Sequence, residues 1–233
     1  MSIAILVPTK GRAEKFRRMV DSACKTSDAL IQVYCAVSLE EQSKYKECIS
    51  GVKTNVFMAT GQEYLPTVAK WNMLAELALK DSSNKLFMLG SDDIIFSTPL
   101  WDKALLEHYA ALENKIHVYH LQDSRDKDGT PHVIVTREYI EAVGYFLPPI
   151  FLHWYIDSWT VEMAKSAGVF THMRDYELIH DKPSDSGNPD ATHNGIRAQG
   201  WKKRDDYVAE KMQSWLGMEK DKLRMSCQRR SSY

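Results

Sequence analysis

Ile3-Ala4-Ile5-Leu6-Val7-Pro8-Thr9-Lys10-Gly11-Arg12 is the stretch on which the fold turns. Five aliphatic residues in unbroken succession suit a strand buried on both faces, as in a parallel sheet covered by helices on each side. Pro8 and Gly11 then break the extended pattern. Beyond them Phe16, Met19, Val20, Ala23 and Cys24 recur at helical spacing, and Ile31 to Val37 gives a second buried strand. Strand, turn, helix and strand make a βαβ unit, whose crossover is right-handed.

The same alternation continues downstream. Asn55 to Met58 reads as a short strand, and Trp71, Leu74, Ala75 and Ala78 share one helical face. Lys85 to Leu89 is a further buried strand, ending abruptly at Gly90-Ser91-Asp92-Asp93, and Trp101 to Leu112 is again helical in spacing. This order belongs to an α/β domain with a mostly parallel sheet. After about residue 115 the pattern changes. Ile116 to Leu121 and His132 to Thr136 suit a hairpin around the polar turn Asp123 to Thr130, a helix follows from Ser158 to Ala167, and Tyr176 to Ile179 suits a last strand. Residues 181–200 read as a long loop, and the tail from Trp201 is helical, then polar.

Composition narrows the function classes. The 233 residues carry 30 Lys and Arg against 31 Asp and Glu, a net charge of −1, which disfavours non-specific coating of nucleic acid or membrane. No apolar run approaches the roughly 18 residues of a membrane span, and no basic leader or cleavage site opens the chain. Cys24, Cys35, Cys48 and Cys227 form neither a CxxC pair nor a zinc spacing. A cytoplasmic protein without a membrane partner is the expectation.

Ligands of open parallel sheets bind outside the carboxyl ends of the strands. Two turns there hold the polar chemistry. Pro8-Thr9-Lys10-Gly11-Arg12 offers backbone amides and two cations, and Gly90-Ser91-Asp92-Asp93 offers adjacent carboxylates suited to Mg²⁺ or Mn²⁺ carrying phosphates. Together they describe a pocket for a metal diphosphate or nucleotide; taken alone, Ser-Asp-Asp after a strand is equally a turn or a helix cap.

Those turns, with Ala69-Lys70-Trp71-Asn72-Met73-Leu74 between them, resemble in order and spacing the GT-A fold glycosyltransferases of the large family-2-like group. Val7 to Arg12 is similar to that family's V-P-T-x-x-R opening, Ala69 to Leu74 to its A-R-N segment, and Phe87 to Asp93 to its strand and D-x-D motif. The resemblance spans roughly residues 1–180. It implies a Rossmann-like sheet flanked by helices, taken here over residues 1–200; the tail over 201–233 reads from its own pattern as a helical, basic extension, expected to be dispensable for folding of the nucleotide-binding half. The resemblance also implies transfer of a sugar from a nucleotide-sugar donor, expected to be a UDP sugar, to a hydroxyl with inversion. Asp92, Asp93 and His180 would hold Mn²⁺ or Mg²⁺; Pro8, Thr9, Lys10, Arg12, Lys70, Gly90 and Ser91 would line the diphosphate, and Asn72 would brace that wall. Asp157, in His153-Trp154-Tyr155-Ile156-Asp157, would be the general base, a position a helix N-cap would equally explain.

Departures from the family pattern are specific. Gly90 stands where D-x-D has its first Asp, and at the end of the second strand, where an acidic residue reads the base, Ser38 and Glu40 are the nearest candidates. The segments His180-Asp181-Lys182-Pro183, Asp190-Ala191-Thr192 and Asp205-Asp206-Tyr207 resemble phage-encoded relatives that glycosylate hydroxymethylated pyrimidines in DNA. In parallel, Lys202 to Arg230 holds nine cations against five acids, which could follow a phosphate backbone while Trp201 or Trp215 stacks on an extruded base. A solvated helix with a basic tail is the plainer alternative. Two rival functions remain at this point: a sugar-phosphate nucleotidyltransferase, which would carry a longer Gly-rich loop after the first strand, and a non-catalytic nucleotide-sugar-binding module.

Overall fold

The computed structural model describes residues 1–61, 64–125, 131–181 and 199–230. Its centre is an eight-stranded sheet in the order β3-β2-β1-β4-β7-β6-β8-β5. The strands are β1 (Ser2–Pro8), β2 (Leu30–Val37), β3 (Asn55–Thr60), β4 (Asn84–Leu89), β5 (Ile94–Phe96), β6 (Val118–Asp123), β7 (Ile134–Thr136) and β8 (Phe170–His180). β3, β2, β1 and β4 run parallel, as their apolar runs imply. β7 pairs antiparallel with both β4 and β6, β8 runs parallel to β6, and β5 closes the far edge antiparallel to β8.

The period of two along each central strand divides the core between the two faces. On one face Ala4, Leu6, Tyr34, Ala36, Phe87 and Leu89 pack beneath α3 (Thr67–Leu79), α5 (Arg137–Val143) and α6 (Ile156–Ser166). On the other, Ile3, Ile5, Val7, Val33, Cys35, Leu86 and Met88 pack beneath α1 (Ala13–Thr26), α2 (Gln42–Cys48) and α4 (Trp101–Ala111). Two-faced burial explains why these strands read as continuous apolar runs.

The C-terminal stretch forms α7 (Trp201–Lys211) and α8 (Gln213–Arg230). α8 delivers Leu216 (2% exposed) and Leu223 (0%) into the first of the two cores, and Trp215 stacks on Trp159 with ring centroids 5.9 Å apart and planes inclined by 29°. The extension is therefore a packed layer of the domain, which the charge density of its sequence disguises. Among the described residues no helix is long and apolar enough to cross a membrane.

Several elements differ from the sequence expectation. β8 is longer than Tyr176–Ile179, because its first half pairs with β6 beyond a register shift. β5 is three residues long, too short for any period to show. α5 follows β7 without a loop; its start is set by the Thr136 hydroxyl accepting the Tyr139 amide and its end by Gly144 at φ 93°. Most of the turn Asp123 to Thr130 and of the loop 181–200, including Lys182, Pro183 and Asp190-Ala191-Thr192, lies outside the described residues.

Candidate active site at the strand ends

The turn after β1 is held by a directional chain of hydrogen bonds. The Arg12 amide donates to the Tyr45 hydroxyl (3.1 Å), and Thr9 Oγ1 donates to Asp92 Oδ2 (2.6 Å). With the Thr9 proton so used, Tyr45 donates to Thr9 across their 2.8 Å contact. Burial pushes the Tyr45 phenol up to about 12, which keeps that proton in place. Arg12 Nη1 completes the circuit with a 2.9 Å ion pair to Asp92 Oδ1 and stands 3.8 Å from Asp93 Oδ2. Both Asp92 oxygens are thus engaged by the first turn, so of the three metal ligands expected from sequence Asp92 is turned to Arg12 while Asp93 and His180 face each other. Burial pushes its carboxyl above the ordinary value, opposed by Arg12 and Thr9.

Asp93 faces the other way. It accepts the Ser91 hydroxyl, and its Oδ1 lies 3.6 Å from His180 Nε2. Burial raises its carboxyl, but the Ser91 hydroxyl and the neighbouring His180 and His132 rings outweigh that, leaving it below the ordinary range. His180 Nδ1 is 3.0 Å from Asp123 Oδ2, and the Arg125 amide donates to Asp123 Oδ1 at 2.9 Å. Burial raises the Asp123 carboxyl, yet these donors hold it well below the usual carboxylate range. His132, on the turn before β7, places its ring edge-on to His180 at 4.9 Å. One donor atom each from Asp123, His132 and His180 lies within 4.8 Å of the others.

Gly90 has a steric cause. A Cβ there would stand 2.8 Å from Ile5 Cγ2, 2.8 Å from Val7 Cγ2 and 3.0 Å from the Leu6 carbonyl oxygen. The end of β4 is pressed against β1, and the Trp71 indole N–H fastens it, 3.0 Å from the Leu6 carbonyl and 3.2 Å from that of Gly90. Any side chain at position 90 would force Ile5 and Val7 to shift, so the acidic counterpart in D-x-D is sterically disfavoured here. Lys70 precedes Trp71 on the same turn of α3, while Lys10 is exposed on the first turn. Pro8 ends β1 half-buried, and the Thr9 amide beside it donates to Ala36. Asn72 braces a different segment from the one expected: its amide group exchanges two hydrogen bonds (2.9 and 2.8 Å) with the Leu147 backbone.

At the end of β2, Ser38 is buried and donates to Glu41 Oε2 at 2.7 Å, and Glu41 Oε1 accepts the Gly11 amide at 2.8 Å. The carboxylate that reaches the first turn is therefore Glu41; Glu40, beside it on the 3₁₀ turn Leu39–Glu41, is exposed.

Asp157 lies in the first turn of α6, two residues beyond the N-cap Tyr155 (φ 69°), and its Oδ1 accepts the Ser158 amide at 2.8 Å. The segment before it is anchored twice. His153 stacks on Trp71 with ring centroids 6.3 Å apart. Asp205 of α7, fully buried, accepts the consecutive amides of Leu152, His153 and Trp154 at 2.9–3.2 Å. Three amides in a row around one carboxylate form an anion nest. The Asp205 role was not legible in sequence, because its partners are backbone groups some fifty residues away.

No family model matches the chain, and no curated protein matches it in sequence. Solved structures do match in fold. A mannosyltransferase, PcManGT from Pyrobaculum calidifontis in complex with GDP-Man and Mn²⁺, aligns over 98% of this chain and 73% of its own, at 12% identity and TM-score 0.56. TarS 1–349 from S. aureus in complex with UDP-GlcNAc aligns over 77% and 58%, at 14% identity and TM-score 0.55. Glucosyl-3-phosphoglycerate synthase from Mycobacterium tuberculosis, with Mn²⁺, UDP and glucosyl-3-phosphoglycerate, aligns over 79% and 74%, at 12% identity and TM-score 0.55.

The chain has the GT-A fold.

In a GT-A frame the two turns after β1 and β4 and the end of β8 meet on one side of the sheet, and they bring Thr9, Arg12, Asp92, Asp93 and His180 together. The chain spans 36% of the longer TarS structure and 58% of the shorter one. The C-terminal cations are largely committed elsewhere: Lys202, Arg204, Lys211, Lys220 and Arg224 all sit in ion pairs. Trp215 is half-buried and already stacked against Trp159 and Tyr145, which occupies part of the base platform expected from sequence.

Proposed function

We propose that this chain transfers a sugar from a nucleotide diphosphate donor, a UDP sugar, to an acceptor hydroxyl with inversion. The observation that carries the reading is the Arg12–Asp92 and Asp93–His180 pairing at the carboxyl ends of β1, β4 and β8, in a GT-A frame whose solved counterparts hold nucleotide sugars. Buried carboxylates beside two imidazoles form a donor set that fits a divalent cation. When bound, such a cation supplies charge neutralisation for the departing diphosphate.

The chain's own residues divide the remaining work. Asp92, anchored by Thr9, holds Arg12 in place, and Lys10 and Lys70 would add positive charge beside the diphosphate. Asp93 and His180 would hold the cation. Asp157 would take the proton of the acceptor hydroxyl as its oxygen forms the new bond to the anomeric carbon. The bond from that carbon to the diphosphate breaks in the same displacement, and the nucleoside diphosphate leaves. One displacement inverts the anomeric centre and needs a single base. The C-terminal resemblance extends the acceptor reading to a hydroxymethylated base in DNA.

Calorimetric titration with UDP, with and without Mn²⁺, tests the donor site; absence of binding in both removes it. UDP release from UDP-glucose and UDP-GlcNAc separates a transferase from a binding module. Incorporation of labelled sugar into hydroxymethylcytosine DNA, against unmodified DNA, tests the acceptor.

A further inference from the structure

His132 is enclosed at 4% exposure, on backbone at φ 59°, a left-handed conformation that a non-glycine residue holds only where its surroundings impose it. Its Nδ1 lies 3.2 Å from the Leu89 carbonyl, while its Nε2 is buried with no hydrogen-bond partner. A carbonyl only accepts, so Nδ1 carries the proton and Nε2 presents a bare lone pair. In His180 it is Nδ1 that faces Asp123, an acceptor, which leaves Nε2, 3.6 Å from Asp93 Oδ1, as the ring nitrogen placed to ligate. A metal ion takes the place of any proton on that nitrogen, and an imidazole nitrogen and a carboxylate oxygen at that separation can share one cation. Ligands about 2.1 Å from one tetrahedral ion stand about 3.4 Å apart.

We propose that His132 Nε2 joins His180 Nε2 and Asp93 as a third protein ligand, making a two-imidazole, one-carboxylate site for a first-row divalent transition ion. Asp123 is the positioning residue. Both of its oxygens are occupied, by the Arg125 amide and by His180, and it holds the His180 ring in the tautomer that ligates. The inference rests on the reading above only in placing an ion beside Asp93 and His180. It deepens that reading by setting the ion's class: two imidazoles favour Mn²⁺, Co²⁺ or Zn²⁺ over Mg²⁺, which keeps to oxygen donors.

The test uses the full chain and Co²⁺ without nucleotide, followed by visible absorption and calorimetry. One Co²⁺ per chain is expected, with Mg²⁺ competing poorly. His132→Asn, which tolerates the left-handed backbone, should weaken Co²⁺ by tenfold or more, and Asp123→Ala by about 10- to 100-fold with a shifted absorption band. Pulsed EPR of the Mn²⁺-loaded wild-type chain should count two coupled imidazole nitrogens, a readout that does not depend on any variant folding. A folded His132→Asn chain with wild-type Co²⁺ affinity, a single coupled nitrogen, or no Co²⁺ binding by the wild type would each overturn the proposal. UDP binding is measured separately. Co²⁺ bound through His132 without UDP binding keeps the metal site and removes the donor reading, whereas Mn²⁺-dependent UDP binding indifferent to His132→Asn does the reverse.

Discussion

Asp157 accepts the Ser158 amide through one oxygen and sits where the helix dipole favours a negative charge. Asparagine keeps an acceptor in the same place but cannot take a proton. Asp157→Asn is therefore expected to melt within a degree or two of wild type, bind UDP normally, and lose on the order of a hundred- to ten-thousand-fold in turnover. Normal turnover would return Asp157 to a purely structural role. Gly90 makes the opposite kind of prediction. Gly90→Ala drives a methyl group against Ile5, Val7 and the Leu6 carbonyl, and overpacking of that sort costs about 1–3 kcal/mol, readable as a lowered midpoint in urea. An unchanged midpoint would mean that β1 and β4 separate more easily than their packing indicates. At this scale the sequence showed which residues are polar at the strand ends, but not their pairings. Asp92 and Asp93 look interchangeable in Gly-Ser-Asp-Asp, and only the fold sends one to Arg12 and the other to His180. Glu41 rather than Glu40 reaches the first turn because the chain enters a 3₁₀ turn there, which no period announces.

Among elements, α7 has an influence out of proportion to its length. Through Asp205 it fixes three amides of the segment leading into α6, and Arg204 adds a 2.7 Å bond to the Ile150 carbonyl. Asp205→Ala strands those amides, and each hydrogen bond to a charged group is worth about 1.5–3 kcal/mol. The expected result is a lowered melting temperature together with reduced turnover. Measured UDP affinity should hold, since the Arg12–Asp92 pair lies outside the nest. Loss of UDP affinity in a folded variant would show that the nest also shapes the donor side. The central strands β1, β2 and β4 were legible because two-faced burial writes itself as apolar runs. α5, seven residues set between Thr136 and Gly144, was too short for a helical period to announce it, and β5 left no trace in three residues.

For the whole molecule, the packing of α8 predicts the outcome of truncation. Removing residues after 200 uncovers the surfaces that Leu216, Leu223 and Trp215 occupy, and each buried Leu is worth about 1.5–3 kcal/mol. The truncated chain should lose its cooperative thermal transition or aggregate; a clean two-state melt at the full-length temperature would show the layer to be dispensable. Acid should act through the buried histidines. Burial lowers His117 and His120 to about 4 from 6.5. Between those values the unfolded chain takes up protons that the folded one refuses, so the stability is fully present above about pH 6.5 and is lost as pH falls toward 4. Melting temperatures at pH 7, 5.5 and 4.5 should descend in that order, and a flat series would contradict the burial of both rings.

The closed space at position 90 also sets a rule for laboratory evolution. A library that seeks an acidic residue there meets strong epistasis, because the substitution becomes tolerable only in backgrounds where Ile5 and Val7 have already been shortened. Those two side chains help fill the opposite core, so the permissive steps carry penalties of their own before any benefit can register. The third obstacle, the Leu6 carbonyl at 3.0 Å, is backbone and is beyond the reach of codon choice. Selection acting one mutation at a time therefore meets a packing penalty at that point before a second carboxylate there can bring any benefit.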